Sequence, residues 1–313
     1  MDFSDAIKLN KPKISEGSLK TYNSLLRSVY SNLFLDETKG YQLNPSPSIF
    51  STEYKKVLNF LSKKTYSSRK TYLAALYAIA PDIEEYKSQM MEDIKTYNDE
   101  VEKSEMTDKL SENEITKEEM QQIETALKKK ATTVLKQKEK NLTIPELMEL
   151  QNYIILSLYH GHIVPRRAQD FINMKYKSID PSGNYMDLKK NIFVFNIYKT
   201  AKKNNEELRG TQEISIPKDL KKILTKWISF IPESVDYLLF NAKLEPLTNV
   251  TLNQRLNSIF GGAKSINSLR HFYLQQNHKD TVIANEKLAQ DMTAMGSSKL
   301  QAKNYIKINE KTI

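Results

Sequence analysis

The 313-residue chain has no cysteine, which excludes disulfides, thiolate nucleophiles and cysteine-ligated zinc. Its four histidines fall in no ligand-like pairing, and no Asp/Glu metal cluster is visible, so no metal is expected. Glycine is scarce, with 8 residues, and none builds a phosphate-cradling Walker loop. No apolar run approaches the roughly 18–20 residues that cross a bilayer. The opening MDFSDAIKLNKPK lacks the apolar core of a secretory signal. An intracellular setting (cytoplasm, nucleus or virion) is expected, with no membrane partner.

What the chain does have is positive charge. Lys and Arg number 47 against 38 Asp and Glu, a formal net charge of +9. A basic surface attracts polyanions, of which DNA is the commonest. The length accommodates two cores.

Helical spacing of apolar residues runs through 14–35, where Leu19, Leu26 and Val29 share a face and Lys20 and Arg27 lie opposite. A second helix is expected near 51–62. A third starts about Ser67 or Ser68, carries Arg69 and Lys70 in its first turn and ends before Pro81. Cations there oppose the helix dipole unless an anion meets them. With Lys63 and Lys64 they form a candidate DNA-binding cluster. Residues 82–140 read as one or two long polar helices, with Thr116 and Glu119 spaced as a capping box. A boundary near 110 divides an N-terminal helical domain, 1–110, from a second domain, 111–313.

The second domain opens with a strongly apolar helix, LTIPELMELQNYIILSLYHGHI. Next comes VPRRAQDFINMKYKSID, where Pro165 suits a helix start and Arg167 and Asp170 share a face. The β signal lies at Asn191–Lys199 and Thr211–Pro217, a hairpin with Lys199 leaving its first strand. Near the C-terminus, SINSLRHFYLQQ starts a helix carrying Arg270. After a spacer, MGSSKLQAKNY gives a Met-Gly turn and a further short helix bearing Tyr305. The whole reads as mainly α with a small antiparallel β-sheet.

A phenol attacks phosphorus only with help, because a pKa near 10 keeps it protonated at neutral pH. Arginine forks that grip the phosphate and offset developing charge supply that help.

An Arg, a hairpin Lys, a second Arg and a Tyr in this order resemble the tyrosine recombinases, the family of phage integrases. The likeness covers the second domain and, more loosely, the N-terminal helices, which resemble the family's core-binding domain. It implies Arg167 as the first catalytic Arg with Asp170 as its carboxylate support, Arg166 competing for the role. It implies Lys199 as general acid, with Lys202 and Lys203 as alternatives, Arg270 as the second Arg and Tyr305 as nucleophile. Where the family usually carries His, this chain has Asn267 and Ser297. Both hydrogen-bond a phosphate oxygen, but neither takes a proton as imidazole does.

The resemblance further implies a double-stranded DNA partner with a specific recombination site and a homotetramer on DNA. It implies strand exchange through a 3′-phosphotyrosyl intermediate with no cofactor, as carried by viruses and mobile elements. Two other readings share the inventory. One is type IB topoisomerase-like relaxation; the other is a catalytically degenerate, sequence-specific DNA-binding protein.

Overall fold

The computed structural model describes residues 2–35, 46–102, 113–136, 142–177, 179–203, 206–207 and 210–297; for Leu135 and residues 202, 203, 206 and 207 it gives the backbone alone. The fold is mainly helical with a small antiparallel sheet. Two compact units are present: one runs to Thr107 and takes in Lys202–Leu208, and the other comprises Asp108–Ala201 and the chain from Arg209 onward.

The first unit contains α1 (Ser4–Asn10), α2 (Glu16–Leu33), α3 (Ile49–Thr52), α4 (Tyr54–Leu61), α5 (Tyr66–Ile79) and α6 (Glu84–Glu102). Ser15 caps α2 by accepting the Ser18 N–H. Leu19, Leu26, Val29 and Tyr30 of α2 meet Phe3, Phe50, Leu73 and Leu76 in one core. Helix α5 packs on α6 and α2. The α5–α6 contact is also polar: Arg69 donates from Nε and a terminal nitrogen to both oxygens of Asp93, at 2.9 and 2.6 Å.

The second unit adds α7 (Lys117–Leu135), α8 (Ile144–Tyr159), α9 (Ala168–Ile172), α10 (Lys218–Ile228), α11 (Asn249–Phe260) and α12 (Ile266–Ala294). Thr116 caps α7 through the Glu119 N–H, at 3.0 Å. Helix α8 is buried from Leu150 to Tyr159 apart from Asn152. It is apolar nearly all round, so every face needs a partner. Its one buried amide, Gln151, is matched in both directions by the Phe240 backbone, at 2.8 and 2.9 Å. That pairing removes the penalty of a buried polar group.

Three strands, β1 (Tyr185–Asp187), β2 (Ile192–Phe195) and β5 (Gln212–Ser215), form an antiparallel sheet in the order β1-β2-β5. The hairpin register pairs Ile192 with Ser215 and Phe195 with Gln212. Between them, β3 (Lys202–Lys203) pairs with β4 (Glu206–Glu207). The central strand thus stops at Phe195, four residues short of Lys199.

Three features depart from the sequence expectation. Strand β1 was not foreseen. Pro165 does not start a helix: Arg166 precedes it, and Arg167 sits at the N-cap of α9 in extended backbone (φ −72°, ψ 154°). Most consequentially, α12 is one continuous helix of 29 residues through the expected spacer. No Pro or Gly interrupts it. It ends at Gly296 (φ 67°), where Ser297 N–H reaches the Met292 carbonyl and Gly296 N–H the Thr293 carbonyl. That pair of bonds is a Schellman closure.

Candidate functional site

Two adjacent arginines enter the site before α9, and the fold gives them opposite roles. Arg166 is committed. Its Nε–H donates to Asp170 Oδ2 at 2.7 Å, and NH1 donates to Gln212 Oε1 on β5 at 2.9 Å. The guanidinium carbon lies over Phe195, 3.9 Å from the ring centroid, with Tyr198 at 5.4 Å. Carboxylate, amide and aromatic faces together suit the planar Arg fork. Arg167 is half-buried and has no side-chain partner among the described residues. The Asp170 carboxylate hydrogen-bonds Arg166, the competing arginine, and acts on Arg167 through charge alone.

Asp170 is 3% exposed. Burial pushes its carboxyl upward, against the pull of Arg166, Arg167 and Arg270. Three guanidinium groups thus bear on one buried carboxylate, and one of them comes from the start of α12. Arg270 is half-buried, and its NH1 donates to Asn267 Oδ1 at 3.4 Å, one turn back. Asn267 is exposed in the first turn of α12, whose N-cap Ser265 takes the Ser268 N–H.

Lys199 is exposed in the turn after β2. Lys202 and Lys203 follow in β3, whose side chains lie outside the described residues, as does Tyr305. Ser297 is described, and the structure separates it from Arg270. A continuous helix rises about 1.5 Å per residue, which puts Ser297 ~40 Å along the axis from Arg270. The expectation that both serve one site within one chain is corrected on that ground.

In the first unit, Lys20 and Arg27 are exposed, two turns apart on α2, and Lys63 is exposed after α4. Lys64 lies over Phe60 and Tyr72, at 5.1 and 4.7 Å, and Lys70 lies over Tyr97 at 2.9 Å. Both keep ammonium protons for a phosphate. Arg69 instead directs Nε and one terminal nitrogen to Asp93, whose side chain is 2% exposed. Arg69 thus also serves as an internal tie between α5 and α6.

A cleft of about 630 Å³ opens beside the start of α12, lined by His160, His162, Phe272 and Tyr273 among others. Among the described residues, none of the expected site residues lines it. Among the described residues, no group of His, Asp and Glu could hold a metal ion, and no helix is long and apolar enough to cross a membrane.

No protein-family model matches the chain, and no curated protein matches it in sequence. Among solved structures it is similar to XerA recombinase, with 12% identity over 88% of this chain and 83% of that one, at a TM-score of 0.35. Likeness at that level carries no argument about activity.

Proposed function

We propose that the protein is a site-specific DNA recombinase of the tyrosine type, cutting and rejoining strands through a 3′-phosphotyrosyl link. One observation carries the reading: the buried Asp170, which hydrogen-bonds Arg166, also feels the charge of Arg167 and of Arg270, from remote parts of the chain. Arg166 bonds one oxygen of that carboxylate, and neither Arg167 nor Arg270 hydrogen-bonds it, so in this reading those two forks serve an outside anion. A phosphodiester is an anion that suits two such forks.

In this mechanism Arg167 and Arg270 grip the non-bridging oxygens and offset charge in the trigonal-bipyramidal transition state. Asn267, in contact with Arg270, donates an amide hydrogen to the same oxygens. Tyr305 attacks phosphorus and gives up its proton to water. The 5′-oxygen leaves with a proton from Lys199, or from Lys202 or Lys203 in the same hairpin. A 5′-hydroxyl from a second duplex then reverses the step, so the bond energy is conserved and no cofactor takes part. Lys20, Arg27, Lys63, Lys64 and Lys70 of the first unit would hold the flanking phosphates.

The length of α12 bears on assembly. The continuous helix sets Ser297 ~40 Å along its axis from Arg270, and on this reading Tyr305 serves a phosphate gripped by a neighbouring protomer, in a tetramer on paired sites.

The test is strand transfer between two differently labelled duplexes drawn from DNA flanking the gene. Products that join the two labels support a recombinase. Relaxation of a supercoiled plasmid without joint products would replace it with a type IB topoisomerase-like enzyme. Specific binding with neither reaction would replace it with a degenerate DNA-binding protein.

A further inference from the structure

We infer that Asn184 is a positioning residue that sets the lysine-bearing turn against the arginine-bearing helix; the inference rests on the recombinase reading above. Asn184 is 7% exposed, and its amide is fully used. Nδ2 donates to the Asp170 carbonyl at 3.0 Å and to the Ile197 carbonyl at 2.8 Å. Oδ1 accepts from the Asn196 N–H at 2.9 Å and the Ile197 N–H at 2.8 Å. One side chain therefore joins the backbone of α9, next to Arg167, to the residues that lead into Lys199.

Those bonds explain why the central strand ends at Phe195. Asn196 and Ile197 point their backbone N–H groups at Asn184 and so leave the sheet. The turn is fastened from outside as well. Asn196 Nδ2 donates to the Gly183 carbonyl, Thr211 Oγ1 donates to Asn196 Oδ1, and the Tyr198 hydroxyl donates to the Gly210 carbonyl, at 2.8, 2.7 and 2.8 Å. Among these bonds to the turn, those of Asn184 also reach the backbone of α9. Whichever lysine of the hairpin delivers the proton, its chain leaves from this anchor.

The chemistry makes the role separable from general stability. In the cleavage step the Tyr305 oxygen bonds to phosphorus, its proton passes to water, and the phosphorus–O5′ bond breaks. The leaving oxygen needs a proton, because an alkoxide is a poor leaving group. If sulfur replaces that bridging oxygen, a thiolate leaves unprotonated, since thiols ionise near pKa 8.5. The arginine grip is needed in both cases; the lysine proton is needed only for oxygen.

The experiment is single-turnover cleavage by the full-length protein on the duplex sequence recovered from wild-type adducts, with either oxygen or sulfur in the bridging position. Asn184→Leu removes all four bonds, and displacement of a catalytic group by about 1 Å lowers rate on the order of 100-fold. The expected result is a loss of about 10- to 100-fold on the oxygen substrate and less than about 3-fold on the sulfur substrate, matching Lys199→Ala. Asn184→Asp keeps the two accepting bonds, is expected to show the same pattern more weakly, and serves if the Leu variant does not fold. Equal losses on both substrates would reduce Asn184 to a structural role and overturn the inference, while leaving the recombinase reading intact. Absence of wild-type adducts on either substrate would overturn both.

Discussion

Arg166 and Asp170 form an ion pair at 2.7 Å, one turn apart, with side chains 13% and 5% exposed. Its neighbour Arg167, one residue on, makes no side-chain hydrogen bond or close ion pair among the described residues. A pair of adjacent arginines is thereby divided into an anchor and a free fork, and the division makes opposite predictions for the two.

Arg166→Ala leaves a buried carboxylate unpaired and is expected to destabilise the second unit by about 3 kcal/mol. Arg167→Ala is expected to change stability by less than about 0.5 kcal/mol. It should nonetheless lower cleavage by about 100-fold or more, as loss of a charge-stabilising donor does. Urea unfolding and adduct yield, measured on both variants, check the contrast. A stable, inactive Arg166→Ala beside an unstable Arg167→Ala would reverse the assignment.

The basic cluster divides in the same way. Lys20→Ala and Lys63→Ala should each flatten the log–log salt dependence of DNA binding by about 0.9. Arg69→Ala should leave that slope unchanged and lower stability by about 2 kcal/mol, because it strands Asp93. Titrations at several salt concentrations beside thermal unfolding separate the two effects.

Much of the fold was legible because its helices are strongly periodic: the buried faces of α2 and α8 follow from Leu19, Leu26 and Leu147, Leu150, Ile154. The arginines and the hairpin lysine were legible through their order. Adjacent Arg166 and Arg167 were not separable, because Gln212 and Phe195, remote in the chain, decide which turns inward. Asn184 follows a glycine and reads as an ordinary turn residue until its four partners are seen. Strand β1 has three residues, too few for alternation to register. The continuity of α12 was missed because its exposed middle lacks an apolar stripe, although nothing in its composition breaks a helix.

Histidine chemistry gives a pH prediction. Burial lowers the pKa of His162 from 6.5, with His160 and Lys128 acting the same way and Asp219 and Glu124 opposing. The unfolded chain therefore binds this proton more readily than the native one. Its contribution to stability is full above pH 6.5 and is lost as pH falls through the lowered native pKa. Unfolding of wild type and His162→Gln between pH 5 and 8 should show a shallower acid-side slope in the variant. An unchanged slope would remove His162 from the account.

The long α12 predicts complementation. Tyr305→Phe and Arg270→Ala should each form no adduct alone, yet a mixture should regain adduct on the Arg270→Ala chains, which carry the intact tyrosine. A mixture as inactive as its parts would mean that Tyr305 serves its own chain and that α12 bends on DNA.

The central claim is covalent attack by Tyr305 on a phosphate held by Arg167 and Arg270. The direct measurement is denaturing electrophoresis after incubation with nicked duplexes drawn from DNA flanking the gene. The account predicts a protein–DNA adduct that is resistant to denaturant, is absent in Tyr305→Phe and yields a tyrosyl phosphate on digestion. An adduct that persists in Tyr305→Phe, or specific binding with no adduct in the wild type, would contradict it.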